Sequence, residues 1–216
     1  MDVSIYQICY CAQQHKEVDK DFILYDNSHY CDKHKKVNNP REYQVFVDNH
    51  NRLSSDYTGF ISWKFYNKTH ITGREFIDNI STADVYFINC GPRSVSNVWQ
   101  QGERQHPGLM KFTQDILDSI GYDIDINNIS HDISKVAFCN FWVGNREFWN
   151  KYMKFTLPIY DYIINHLSEE QQLFIRKRAC KGIDSDYFPF IMERLFTTLL
   201  HVDNSISYVN IRRNKS

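Results

Sequence analysis

Glycine is scarce in this chain, with eight in 216 residues, and none falls in a Walker or Gly-x-Gly-x-x-Gly pattern. That excludes the backbone cradles on which P-loop kinases and dinucleotide enzymes hold phosphate. The Gly-x-Ser-x-Gly elbow is also missing, and with it the marker of the common serine hydrolases. Neither sign of charge is in excess: 25 Lys+Arg against 26 Asp+Glu leave −1, which argues against a protein that coats nucleic acid. No window approaches the roughly 18 apolar residues of a membrane span. Residues Met1–Gln7 have neither the basic nor the apolar segment of a secretory leader. No heptad, triplet or longer repeat organises the sequence. The expectation is one soluble cytoplasmic domain over 1–216, without a nucleic-acid partner or a membrane span.

Cysteine is present, at Cys9, Cys11, Cys31, Cys90, Cys139 and Cys180. Without a secretory route these read as reduced thiols, and several lie in apolar runs where Cys packs as a small hydrophobe. Cys9-x-Cys11 with Cys31-x-x-His34 has the residue types of a zinc site, but neither pair carries the Gly or Pro turn of a zinc knuckle. The basic clusters, Lys33–Lys36, Arg176–Arg178 and Arg212–Arg213, read as short solvated faces or tails. Aromatics are abundant, at 15% of a chain whose mean hydropathy is a polar −0.53. Most fall on packing stripes, whereas Tyr10, Tyr57, Trp63, Trp99 and Trp142 fall at strand ends or in a polar loop, where flat faces can meet sugars or bases.

Along the chain, strands are expected at Val3–Cys11, Phe22–Tyr25, Gln44–Val47, Thr58–Phe65, Val85–Ile88 and Val136–Val143. Thr72-x-x-Glu75 and Ser168-x-x-Gln171 are capping boxes that open helices. Leu109, Phe112, Ile116 and Ile120 form one helical stripe closed by Gly121. Phe148, Tyr152, Phe155, Ile159 and Ile163 form another, with a kink expected ahead of Pro158. A last helix begins near Pro189. Alternating strands and helices imply an α/β sandwich with a mostly parallel central sheet flanked by helices, in which ligands gather at the carboxyl ends of strands, here after Cys9, Ile61, Ile88 and Val143.

Three polar stretches stand at or near those ends. In Asp56–Lys68, a lysine leaving a strand can meet a diphosphate as a point charge, with Tyr57 or Trp63 facing a ring. In Ala83-Asp84-Val85-Tyr86 the lone Asp is a candidate ligand or a turn residue. The Asn97–Gly108 stretch reads as a polar loop in which Glu103 and His106 are candidate bases or partners for sugar hydroxyls.

Asp56–Phe65, Ala83–Asn89, the Asn97–Gly108 stretch and Glu193-Arg194-Leu195-Phe196 together resemble small GT-A-type glycosyltransferases. These are the capsid-glycan enzymes of chlorella viruses and related bacterial surface-polysaccharide enzymes, and the resemblance covers about residues 1–205. It implies a hexosyl- or deoxyhexosyltransferase that moves a sugar from a nucleotide-diphosphate donor, most often a UDP-sugar, to a glycan or glycoprotein acceptor. For a viral member the compartment would be the host cytoplasm. Residues 1–92 would form the nucleotide-sugar half and 93–205 the acceptor half. Tyr10, Gln13, Tyr57, Ser62, Lys64 and Asp84 would bind the donor, with Glu103 or His106 as the base. Mn²⁺ or Mg²⁺ would be held by Asp84 and His201, although the Asp-x-Asp of that fold is not intact, since Ala83 and Val85 cannot ligate. The broken motif also admits a non-catalytic carbohydrate- or partner-binding module that keeps the fold.

Overall fold

The computed structural model describes residues 1–29, 41–92, 94–176 and 186–212. At its centre is a sheet of order β2-β1-β3-β5-β4-β6. The strands are β1 (Val3–Cys9), β2 (Ile23–Asp26), β3 (Tyr57–Ser62), β4 (Val85–Phe87), β5 (Trp142–Asn145) and β6 (Tyr208–Asn210). β1 runs parallel to β2 and β3, and β4 runs parallel to β6. β5 is antiparallel to both of its neighbours, β3 and β4. The carboxyl ends of the other five strands therefore share one edge with the amino end of β5.

Side-chain alternation along the strands separates two cores. Ile8, Phe60, Val85, Phe87 and Trp142 face one side; Ile5, Ile61, Tyr86, Phe141 and Val143 face the other. The first side is covered by α1 (Glu42–Asn49), α4 (Val98–Gln105), α5 (Leu109–Ser119), α6 (Arg146–Asn165) and α8 (Phe188–Val202). α7 (Glu169–Ile175) adds Ile175 to the same core. The second side carries the short helices α2 (Phe65–Thr69) and α3 (Gly73–Ile77). Aromatics hold the thicker layer together: Trp142 contacts Phe46, Phe148, Trp149, Tyr152 and Phe196. Burying a large side chain of this kind contributes about 1.5–3 kcal/mol. The antiparallel join needs Gly59, whose Cβ would stand 2.6 Å from Val143 Cγ2 and 2.8 Å from the Trp142 carbonyl oxygen.

Both capping boxes form as expected, at Thr72 and at Ser168. Several elements differ from expectation. Gln44–Val47 is helical, because Tyr43 and Phe46 share a buried face while Gln44 Nε2 donates to Asp48 Oδ1 one turn on (2.8 Å). Asn97–Gly108 is not a loop: the Asn97 side chain accepts from the amides of Trp99 and Gln100 and starts α4, whose Val98, Trp99 and Gly102 are buried. The expected strand Val136–Val143 narrows to Trp142–Asn145, because Cys139 and Asn140 adopt left-handed φ of 73° and 50° that turn the chain into β5. Since β5 runs backwards, the end beyond Val143 lies at the opposite edge from the other carboxyl ends. α6 continues through Pro158 as one helix. Cys31, His34, Cys180 and much of the basic clusters lie outside the described residues.

Candidate functional site

At the carboxyl edge, β1 delivers Tyr10, Gln13 and Gln14, β2 delivers Asp26 and Asn27, and β3 delivers Ser62, Trp63 and Lys64. Tyr10 is half-buried, its amide donating to Gln14 Oε1 (2.7 Å), and Gln13 is exposed on a 3-10 turn over Ala12–Glu17. Trp63 is fixed from beneath. Its amide donates to the Ile8 carbonyl (3.1 Å), and its own carbonyl accepts from the Nε2 of buried Gln7 (3.0 Å). Lys64 is exposed, with its ammonium 5.1 Å from the centroid of the Trp63 ring. Four of the expected donor residues, Tyr10, Gln13, Ser62 and Lys64, thus share this edge.

The same edge holds a cluster that the motif reading passed over. Lys68 Nζ on α2 donates to Cys139 Sγ (3.1 Å), and Cys90 Sγ donates to the Phe138 carbonyl (3.6 Å). The two thiols are also hydrogen-bonded to each other. That bond, with the Lys68 charge beside it, places one negative charge on the pair more readily than on a free cysteine, and the second thiol titrates far higher. On α8, Glu193 accepts from the Cys139 amide. Desolvation pushes the Glu193 carboxyl above its ordinary range, against the opposing pull of Arg194 and Lys68. Lys68 itself is desolvated, which lowers its pKa, but Cys139, Cys90 and Glu193 more than compensate and its ammonium is held charged. Three buried polar atoms near this cluster have no partner among the described residues: Asn140 Oδ1, Trp142 Nε1 and Tyr152 Oη. Asn27 Nδ2, after β2, is a fourth on this edge. Unsatisfied buried polar atoms are costly and persist mainly where a ligand or water completes them.

The other expected site residues lie elsewhere. Tyr57 and Asp84 stand at the amino edge, at the far end of β3 and ahead of β4. The Tyr57 hydroxyl lies within hydrogen-bonding distance of the Ser81 and Ala83 carbonyls (3.0 and 2.9 Å). Asp84 Oδ1 accepts from Asn145 Nδ2 (2.9 Å), and Oδ2 accepts from the Ser207 amide (2.8 Å) and hydroxyl (2.7 Å). Desolvation opposes its ionisation, but these donors outweigh it and hold the carboxyl below the ordinary range. Asp84 therefore pins β6 and β5 to β4. Glu103 accepts from the amides of Gly108 (2.6 Å) and Met110 (2.9 Å), joining α4 to the start of α5. His106 is buried, its ring 4.2 Å from that of Phe190. His201 lies two turns beyond Glu193 on α8, against the buried His131 at 5.4 Å between rings. Burial first, and then His201, push the His131 ring down to about 4.

These positions do not fit a divalent cation. Both Asp84 oxygens are already occupied by donors, and His201 packs against the His131 imidazole. Among the described residues, no group of three or more His, Cys, Asp or Glu is arranged to hold a metal ion. The zinc reading is reduced to Cys9 and Cys11 among the described residues. Burial, then Asp26 and Cys11, push the Cys9 thiol up to about 11, so it behaves as an inert core group. Cys90 and Cys139 were missed because their signal is spatial, and Glu193 entered only as part of the Glu193–Phe196 stretch, with no role assigned to it.

No family model matches the chain, and no curated protein matches it. Among solved structures it is similar to the apo structure of the bifunctional glycosyltransferase WbbM, with a TM-score of 0.53 at 12% identity. The match covers 98% of this chain and 45% of that one, so the chain spans less than half the length of that structure. The α/β architecture, a central mixed sheet flanked by helices, is thus the fold of one portion of a glycosyltransferase.

Proposed function

We propose that the chain is a glycosyltransferase that moves a sugar from a nucleotide-diphosphate donor, a UDP-sugar, to a hydroxyl of a glycan or glycoprotein acceptor. The observation that carries this reading is the carboxyl-edge cluster, where two lysines and a desolvated carboxylate meet unsatisfied polar atoms, set in a fold shared with a glycosyltransferase. Fold alone would not suffice, because one fold hosts many chemistries.

In this reading the nucleobase lies against Tyr10 and Trp63, within reach of Gln13, and the diphosphate lies along Ser62, Lys64 and Lys68. The donor diphosphate carries two negative charges and gains a third as its bond to the sugar breaks, and a lysine meets a phosphate as a compact point charge. Lys68 suits this role because its surroundings keep it charged. Trp63, held at its carbonyl by Gln7, keeps the Lys64 ammonium beside the path of the phosphates. The family resemblance implies Mn²⁺ or Mg²⁺, but the donor set at Asp84 and His201 does not fit one, and in this reading the lysines carry the phosphate charge.

The test is thermal stabilisation by UDP, CMP and GDP, each with Mn²⁺ and with EDTA. UDP at about 100 times its Kd should add about 2.7 kcal/mol, raising Tm by roughly 5–10 °C for a domain of this size. The shift should survive EDTA. Failure of every nucleotide to stabilise the protein would sink the reading, and binding without hydrolysis of any UDP-sugar would leave a binding module.

A further inference from the structure

We infer that Glu193 is the catalytic base, taking the proton of the attacking hydroxyl; this rests on the transfer reading above. Glu193 lies near the start of α8 at the carboxyl edge, half-buried, and is oriented by the Cys139 amide. The turn that aims this amide is held by two consecutive left-handed residues, Cys139 and Asn140. Non-glycine residues pay for that conformation, and such strain collects at functional sites. Gly91 lets the turn close, since a Cβ there would lie 2.1 Å from Phe138 Cδ2.

The charged and titratable groups facing Glu193 come from every element around it. They are Lys68 from α2, Cys90 after β4, Cys139 before β5, Tyr152 from α6, Glu42 at the start of α1 and its own neighbour Arg194. Arg194 is engaged with the Val98 and Phe190 carbonyls and Gln101 Oε1, so it serves the packing of α4 on α8. Lys68 is thus the cation that serves both the carboxylate and the diphosphate. Asn140 Oδ1, Trp142 Nε1 and Tyr152 Oη are buried without a partner among the described residues, and together they offer two donors and two acceptors of the kind a hydroxyl or a water can satisfy.

In the step, the lone pair of the acceptor oxygen forms the bond to the anomeric carbon. The bond from that carbon to the phosphate oxygen breaks, and its electron pair leaves with UDP. The hydroxyl proton passes to the Glu193 carboxylate. Raising the carboxyl's affinity for a proton by desolvation is the ordinary way to make a glutamate a base near neutral pH.

The experiment measures UDP binding by calorimetry and UDP-hexose hydrolysis, with water standing in for the acceptor, for wild type, Glu193→Gln and Glu193→Asp. Glu193→Gln should keep Tm and the UDP Kd, and KM within about twofold, while kcat falls at least 100-fold. In the wild type kcat should rise with pH along a limb above the ordinary glutamate range, and Glu193→Gln should lose that limb. Glu193→Asp should recover part of the rate and keep the limb. Retained UDP binding with unchanged kcat in Glu193→Gln overturns this inference alone. Absence of UDP binding by the wild type, or binding without turnover, overturns the transfer reading and the inference together.

Discussion

At the amino edge of the sheet, Tyr57, Asp84, Asn145 and Ser207 form a closed set in which every carboxylate oxygen and hydroxyl has a partner. At the carboxyl edge, Lys64 lies over a tryptophan, Lys68 and Glu193 flank two thiols, and Asn27, Asn140 and Trp142 each bury a polar atom without a partner among the described residues. The same strands supply both edges. The difference separates residues that hold the fold from residues whose arrangement is completed by something else, and it relocates the site from the acidic motif ahead of β4 to the ends of β3 and β4 and the start of α8.

The largest expected effect comes from removing the cations of the carboxyl edge. Lys64→Ala with Lys68→Ala should weaken UDP binding on the order of 100-fold, since a hydrogen bond to a charged group contributes roughly 1.5–3 kcal/mol and 1.4 kcal/mol is tenfold. Lys64→Ala alone should leave Tm without nucleotide nearly unchanged, because its side chain is exposed, whereas Lys68→Ala gives up the hydrogen bond to Cys139 Sγ and should lower it modestly. Calorimetric titration of UDP reads the outcome; an unchanged Kd would erase the distinction between the edges.

Asp84→Asn should do the reverse. Losing a carboxylate that accepts three hydrogen bonds should cost roughly 1–3 kcal/mol, while kcat per folded molecule stays unchanged. The native carboxyl is held below the ordinary aspartate value, so its stabilisation is complete above the unfolded pKa, about 3.9, and is lost as pH falls through the folded one. Melting curves between pH 7 and pH 3 should show a shallower acid decline for Asp84→Asn, from a lower starting Tm. A drop in turnover that exceeds the loss of folded protein would return Asp84 to the chemistry.

How much was legible follows from where each signal lives. The strands β1 to β4, the Thr72 and Ser168 caps and the long stripes of α5, α6 and α8 were readable because periodicity and capping are local. α1 was misread because four apolar-rich residues, Gln44–Val47, suit either period. α4 was misread because its buried face is only Val98, Trp99 and Gly102 on an otherwise polar helix. β6 is three residues long and only half-apolar. At the site, Ser62 and Lys64 were legible because they directly follow a strand. The Lys68–Cys90–Cys139–Glu193 cluster was not, since it joins four elements far apart in sequence and depends on β5 running backwards and on two left-handed residues.

Glu103 offers the smallest and most discriminating change. Its two oxygens accept from the Gly108 and Met110 amides, where Gly108 takes a left-handed φ of 88° at the mouth of α5. A carboxylate there satisfies two amides at once and carries a negative charge at the positive end of a helix. Glu103→Gln keeps one accepting oxygen and sets an NH₂ against the second amide, so about 1 kcal/mol should be lost, in line with a broken cap. For a chain of this length that lowers Tm by roughly 2–4 °C, and UDP-hexose hydrolysis per folded molecule should not change. A base at Glu103 would instead lose at least 100-fold in kcat, so one melting curve and one rate decide whether this acidic residue closes a helix joint or serves the carboxyl edge.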